Sequence, residues 1–147
     1  MPSDTRTAAG ENERVFEALF KERAPQTSLL GKRRYVRGNV EISVDQSFSH
    51  AGTTYLVEVD SGNMAKLLVG QYLLLNCLLS PSDKPAFFMV VHAYKKYNPI
   101  RTIANLSLVN QELLKGNGIP FGAIHIGSLT DEWSNGAHGL LERLAAG

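Results

Sequence analysis

Apolar and polar positions along the chain alternate with two different periods. Over residues 11–23 the apolar side chains recur at helical spacing and Pro25 follows, which predicts a helix. Strict alternation over residues 40–45 and again over 53–60 is typical of half-buried strands. A turn is predicted around His50-Ala51-Gly52, between these two segments. The two strands are therefore expected to pair as an antiparallel hairpin.

The remainder of the chain alternates between helical and strand patterns. One predicted helix is apolar nearly all round, which is the pattern of a buried helix. A hairpin followed by alternating helices and strands predicts an α/β fold, with a mixed central sheet that contains an antiparallel hairpin and is flanked by helices. The further predicted helices are 64–79, 103–115 and 136–146, of which 64–79 is the apolar one. The further predicted strands are 87–94 and 121–126.

Length and composition indicate one globular domain. The chain has 147 residues, 44% of them hydrophobic and 20% charged, with a formal net charge of +1, which excludes a disordered chain. Residues 1–10 are small and polar and are predicted to form a flexible tail, followed by a single domain over 11–147. We expect a cytoplasmic protein without membrane contact, because no signal peptide and no apolar stretch of roughly 20 residues is present. The single cysteine, Cys77, lies in an apolar run and is expected to be buried.

Three acidic residues share one face of the predicted hairpin. A two-residue turn at Ala51-Gly52 would place Asp45 opposite Glu58, and Asp60 opposite Ser43. Directly opposed side chains have Cβ atoms roughly 5 Å apart. Two carboxylates at that distance repel each other unless one holds a proton or a cation lies between them. Carboxylate oxygens suit Mg²⁺ or Mn²⁺, so the three acids are candidate metal ligands.

A longer hairpin loop would change this register. Asp45 and Glu58 would then lie on an open, solvated face of the sheet, with counter-charges from lysine or arginine. Acidic residues on the wet face of a hairpin are common. An α/β protein that uses this face for another ligand, or for none, therefore remains an alternative.

The arrangement resembles the PD-(D/E)XK nuclease superfamily. Val44-Asp45 stands in the place of the Pro-Asp of that family, and Glu58-Val59-Asp60, 13 residues later, in the place of its (D/E)XK. The resemblance covers residues 11–126, mainly as the order of elements. It implies a restriction endonuclease-like fold and a Mg²⁺-dependent endonuclease that hydrolyses DNA phosphodiester bonds, with Asp45 and Glu58 as metal ligands.

Asp60 departs from the family pattern because it replaces the motif lysine. The resemblance implies that Asp60 binds a second metal or positions the attacking water, and that Lys66 on the following helix supplies the basic group. The departure also leaves open a catalytically inactive relative that serves as a DNA-binding or assembly subunit. Four further side chains are candidates for auxiliary roles at the site: Glu13, Glu17, Glu41 and Gln71.

Two groups of basic residues flank the predicted site. Such residues neutralise phosphates and give affinity that depends little on sequence, although charge clusters of this size also occur on ordinary solvated surfaces. Action on both strands of DNA would require a homodimer or a partner subunit, and the sequence does not distinguish DNA from RNA. The candidate nucleic-acid contacts are Lys32, Arg33, Arg34, Arg37, Lys95, Lys96 and Arg101.

Overall fold

The protein has an α/β fold built from two sheets. The computed structural model describes residues 4–62, 64–95 and 97–127, with side chains from Gly10 onward. Within them a two-stranded antiparallel sheet and a four-stranded mixed sheet are flanked by three α-helices, which confirms the predicted class. The elements are α1 (Asp4–Arg23), β1 (Arg33–Arg37), β2 (Val40–Val44), β3 (Gln46–His50), β4 (Thr53–Asp60), α2 (Ala65–Leu78), β5 (Ala86–His92), α3 (Ile100–Glu112) and β6 (Phe121–His125).

The larger sheet has the strand order β3-β4-β5-β6. Strands β3 and β4 are antiparallel, whereas β4, β5 and β6 are mutually parallel. His50 faces Thr53 and Gln46 faces Val57, so Ala51-Gly52 is the predicted two-residue turn. Both turn residues have positive φ, 51° and 84°, as the tightest hairpin turns require. The predicted register of this hairpin is confirmed.

The predicted strand over residues 40–45 does not continue into that hairpin. Its first part, β2, pairs with β1 in a separate sheet, where Ser43 faces Arg34. The pattern predicts the basic run before Gly38 as nucleic-acid contacts or solvated surface and not as a strand. In the structure it forms β1, and Gly38 adopts a φ of 58° in the connecting turn. The prediction that Ser43 lies opposite Asp60 is therefore wrong.

Each face of the larger sheet carries its own core. Helix α1 packs Phe16 and Phe20 against one face, where Phe20 meets Phe48 with ring centroids 4.7 Å apart. Helices α2 and α3 cover the other face, with Tyr72 and Leu106 fully buried. The sheet is thus enclosed by helices on both sides, and only its edges can present backbone to solvent.

Two further predictions about helices are corrected. Helix α1 begins at Asp4, so the predicted tail is helical from that residue; alanines favour helix there, and a single glycine costs only about 1 kcal/mol. Helix α2 is not buried all round, because it forms an outer layer: Leu67 is 61% exposed and Cys77 is exposed as well. No helix among the described residues combines the length and apolar character that a bilayer crossing requires. The predicted helix over 136–146 lies outside the described residues.

Candidate functional site

The candidate site lies where β3 stops pairing with β4. The ladder ends at the Gln46–Val57 pair, because the chain turns away at Asp45 toward β2. Beyond this pair the Asp45 side chain replaces the backbone of β3 as the hydrogen-bond partner of β4. Its Oδ2 accepts a hydrogen bond from the Val59 N–H at 2.8 Å. The Asp45 N–H in turn donates to Glu58 Oε1 at 3.2 Å. The structure thus brings these two acids together, as the hairpin register predicted.

Helices on opposite faces of the sheet each add a side chain at this edge. Glu13 of α1 lies beside the Asp45 side chain, and each of these carboxyl groups shifts the pKa of the other. Gln71 of α2 donates from Nε2 to the Ser43 carbonyl at 2.9 Å and is hydrogen-bonded to the Glu58 carboxylate. Both were predicted as auxiliary residues, and both contact the site. We refer to Glu13, Asp45 and Glu58 as the carboxylate cluster.

All three acids of the carboxylate cluster have raised pKa values. Burial, followed by the negative charge of Asp45, raises the pKa of Glu58 to about 8, against a partial lowering by the Gln71 hydrogen bond. Burial also raises the pKa of Asp45, although the Val59 N–H opposes the shift. Burial and then Asp45 raise the pKa of Glu13. The cluster therefore favours either protons or a cation.

Asp60 occupies a different environment from the carboxylate cluster. Its Oδ2 lies 2.9 Å from His92 Nδ1, and its Oδ1 accepts from the Gly62 N–H at 3.3 Å. His92 Nε2 is 2.8 Å from Thr102 Oγ1, and all three side chains are buried. Asp60 faces His92 across the parallel β4–β5 ladder, so the predicted grouping of Asp60 with the other acids is not observed.

Two of the other predicted acids are held elsewhere. Glu41 is paired with Arg34 at 2.7 Å on the exposed face of the β1–β2 sheet. Glu17 accepts a hydrogen bond from Gln46 Nε2 at 2.9 Å, beside the cluster but without a described hydrogen bond to it. Neither completes a ring of ligands with Asp45.

The predicted basic residues have dissimilar positions. Lys66 is exposed on α2 and lines, with Glu58 and Gln71, a groove of about 700 Å³ between α2 and β2. Arg33 contacts Ser47, and Arg37 donates to the Cys77 carbonyl. The second predicted group is not part of this groove: Lys95 lies over the Tyr94 ring, Arg101 lines a separate cavity at the start of α3, and Lys96 lies outside the described residues.

Lys32 is the basic residue that acts on the carboxylate cluster. Its positive charge lowers the pKa of both Asp45 and Glu13. The preceding residues are fixed to β3, since Leu30 N–H donates to the Ser47 carbonyl at 2.8 Å and Gly31 N–H to Gln46 Oε1 at 2.5 Å. Periodicity predicted Lys32 only as a nucleic-acid contact, because no local pattern shows that a loop is pinned beside a distant acid.

No family model, curated protein or solved structure significantly matches this chain. Within the described ranges, no group of three or more histidine, cysteine, aspartate or glutamate side chains is arranged to hold a metal ion. Asp45 and Glu58 nevertheless form an adjacent pair of hard oxygen donors. Mg²⁺ is commonly bound by only one or two carboxylates and completes its coordination with water and phosphate. Asp45 and Glu58 are therefore the described residues that could hold such an ion.

Proposed function

We propose that the protein is a Mg²⁺- or Mn²⁺-dependent phosphodiesterase that hydrolyses DNA. The observation that carries the proposal is the side-by-side placement of the part-buried Asp45 and Glu58 carboxyl groups where β3 leaves β4, with both pKa values raised. Like charges so placed destabilise a hairpin. Local conflicts of this kind concentrate at functional sites.

In this proposal Asp45 and Glu58 hold the metal. A bound Mg²⁺ supplies a water of lowered pKa and stabilises negative charge on the phosphate. Gln71 orients Glu58, because the same side chain is anchored on the Ser43 carbonyl of β2. Glu13 adds a third carboxyl group beside Asp45. Two helices and two strands thus contribute to the site.

The order and pairing of the elements support the same proposal. Helix α1, the β3–β4 hairpin, α2 and the parallel β5 follow one another as the resemblance implies, with Asp45 at the point where the strands diverge. The motif position of the family's lysine is here a core residue, since Asp60 contacts His92. The basic group at the reacting phosphate is then supplied by Lys66 or Lys32.

One observation favours an inactive DNA-binding or assembly subunit as the second candidate. Asp45 Oδ2 accepts the Val59 N–H that the β3 ladder leaves unpaired, which is a structural use of the carboxylate. With no lysine at the motif position, the acids would then serve to fasten diverging strands. In that case the Asp45 side chain would matter to stability and not to any cleavage.

The test is metal-dependent cleavage of supercoiled plasmid, branched DNA and single-stranded DNA by wild type, Asp45→Asn and Glu58→Gln. Each variant keeps an oxygen that can accept its observed hydrogen bond, so the fold is retained while a metal-binding charge is lost. We expect a rate loss of about 100-fold or more in each. Glu22→Gln, which changes an exposed ion pair on α1 outside the groove, is the matched control and should cleave like wild type.

Absence of cleavage in wild type with either metal would favour the inactive subunit. Equal cleavage by wild type and the two site variants would contradict the assignment of the site. Size-exclusion chromatography on the same samples would show whether the homodimer expected for cutting both strands is formed.

A further inference from the structure

The groove between α2 and β2 leads directly to Glu58. Part-buried Glu58 and exposed Lys66 both line it. The other lining residues are the apolar Ile42, Leu67 and Leu74, with Gly70 and the polar Glu41, Ser43 and Gln71. The groove volume of about 700 Å³ lies in the range of sites that bind ligands of one or a few rings. Any polymer whose phosphate reaches Glu58 from this side has to pass along the groove.

The wall formed by α2 is unusually apolar for an exposed surface. Leu67 and Leu74 are 61% and 37% exposed, and seven residues apart they project from the same face of the helix. Gly70 lies between them, and a Cβ placed there would meet no atom within 4 Å. The helix therefore presents two leucines separated by an open notch, opposite Ile42 of β2.

The charges around the groove do not suit a DNA duplex. Duplex binding relies on several cations that are free to neutralise phosphates. The arginines of β1 are instead engaged within the protein: Arg34 with Glu41, Arg33 with Ser47, and Arg37 with the Cys77 carbonyl. Among the described residues that line the groove, Lys66 carries the positive charge, Glu58 is acidic, and Glu41 is paired with Arg34.

We propose that this groove binds unpaired nucleotides, so that the substrate of the site is single-stranded nucleic acid. The faces of unstacked bases pack against Leu67 and Leu74, while the sugar-phosphate chain passes Lys66 toward Glu58. Bases expose such apolar faces only when they are not stacked in a duplex. The inference rests on the proposed function for its orientation toward Glu58.

The test uses fluorescence anisotropy of labelled oligo-dT, oligo-rU and a DNA duplex of equal length, with Ca²⁺ in place of Mg²⁺. Gly70→Leu fills the notch, and it should not weaken the fold because leucine is a better helix former than glycine. Leu67→Ser removes one apolar wall. Leu108→Ser is the matched control, since Leu108 is 59% exposed on α3 and outside the groove.

We expect wild type to bind single strands more tightly than duplex. Gly70→Leu and Leu67→Ser should each weaken single-strand binding about tenfold and leave the weak duplex binding unchanged, and Leu108→Ser should change neither. The comparison of oligo-dT with oligo-rU identifies the preferred sugar. Equal affinity of wild type for duplex and single strand, or an unchanged affinity in Gly70→Leu, would overturn the inference.

A parallel assay separates this inference from the proposed function. Bis(p-nitrophenyl) phosphate is a diester too small to need the groove, so its Mn²⁺-dependent hydrolysis by wild type reports on the Asp45–Glu58 site alone. Hydrolysis of this diester by wild type without any groove effect on strand binding would overturn the groove alone. Strand binding that depends on the groove, without hydrolysis of any diester, would support the groove and overturn the phosphodiesterase.

Discussion

Glu58 and Asp60 lie two residues apart on the same face of β4, yet their environments are opposite. Asp60 contacts His92, which in turn contacts Thr102, and all three side chains are buried. Glu58 is crowded by another acid, Asp45, and its pKa is raised to about 8. Asp60 is therefore part of the hydrogen-bonded core, whereas the surroundings of Glu58 favour a proton or a cation.

The difference arises from the neighbours of β4. Strand β5 pairs with β4 at both residues, but it places His92 beside Asp60 and Val90, which has no polar side-chain group, beside Glu58. Strand β3 leaves β4 after Val57, and the backbone of the next residues is met by the Asp45 side chain instead. The Asp60 end of this face of β4 is therefore covered by His92, whereas Glu58 at the other end lines the groove.

The largest effect on stability is expected from Asp60→Ala. This change leaves the imidazole of His92 buried without its carboxylate partner, and breaking a buried pair of this kind costs about 3 kcal/mol. Urea denaturation of the variant and of wild type should show that loss in the free energy of unfolding. Asp60→Asn retains an oxygen acceptor and should lose less.

The contrast between Asp60 and Glu58 would be contradicted if the Asp60→Ala variant were as stable as wild type but had lost metal-dependent cleavage. Asp60 would then act at the site, as the resemblance first implied, and the contact with His92 would be incidental. A destabilised variant that still cleaves at low temperature is the expected result.

A smaller effect of opposite sign is expected from Glu58→Gln without metal. The folded protein keeps the Glu58 proton up to about pH 8, whereas the unfolded chain loses it near the ordinary value of 4.5. Wild-type stability therefore falls as pH rises through this window and levels off above it. Removing the charge should stabilise the protein at about pH 9 by about 2 kcal/mol and flatten the pH profile.

Urea denaturation across pH, with and without Mg²⁺, checks this. The metal should restore part of the stability that wild type loses at high pH and should do little for Glu58→Gln. Leu108→Ser provides a reference for changes unrelated to the site. A wild-type stability that increases from about pH 5 to about pH 8 would contradict the assigned pKa direction.

The sequence was sufficient for the part of the fold that depends on local patterns. Alternation and the Ala51-Gly52 turn predicted the β3–β4 register, and from it the meeting of Asp45 with Glu58. The same alternation could not show which strand would lie beside Asp60, because pairing with β5 depends on a crossover through α2.

Exposure and long-range placement were harder to predict. Helix α2 also carries apolar residues on its outer side, so its composition predicted a buried helix. In the structure that side is exposed, and its Leu67 lines the groove. Nothing in the local pattern around Lys32 indicates that Gly31 is held by Gln46. The basic group of the site therefore had two candidates, of which the sequence offered only Lys66.

The smallest effect is expected from replacing Lys32 and Lys66, one at a time, by methionine. These two variants also sharpen the comparison furthest. Lys32 lowers the pKa of Asp45 and Glu13, whereas Lys66 lines the groove beside Glu58. If Lys32 supplies the basic group, Lys32→Met should slow hydrolysis of bis(p-nitrophenyl) phosphate about tenfold and shift its pH profile upward. Lys66→Met should then reduce single-strand binding and spare the small diester. The reverse pattern would assign the basic group to Lys66, and the acids of the carboxylate cluster would then be neutralised chiefly from the groove side.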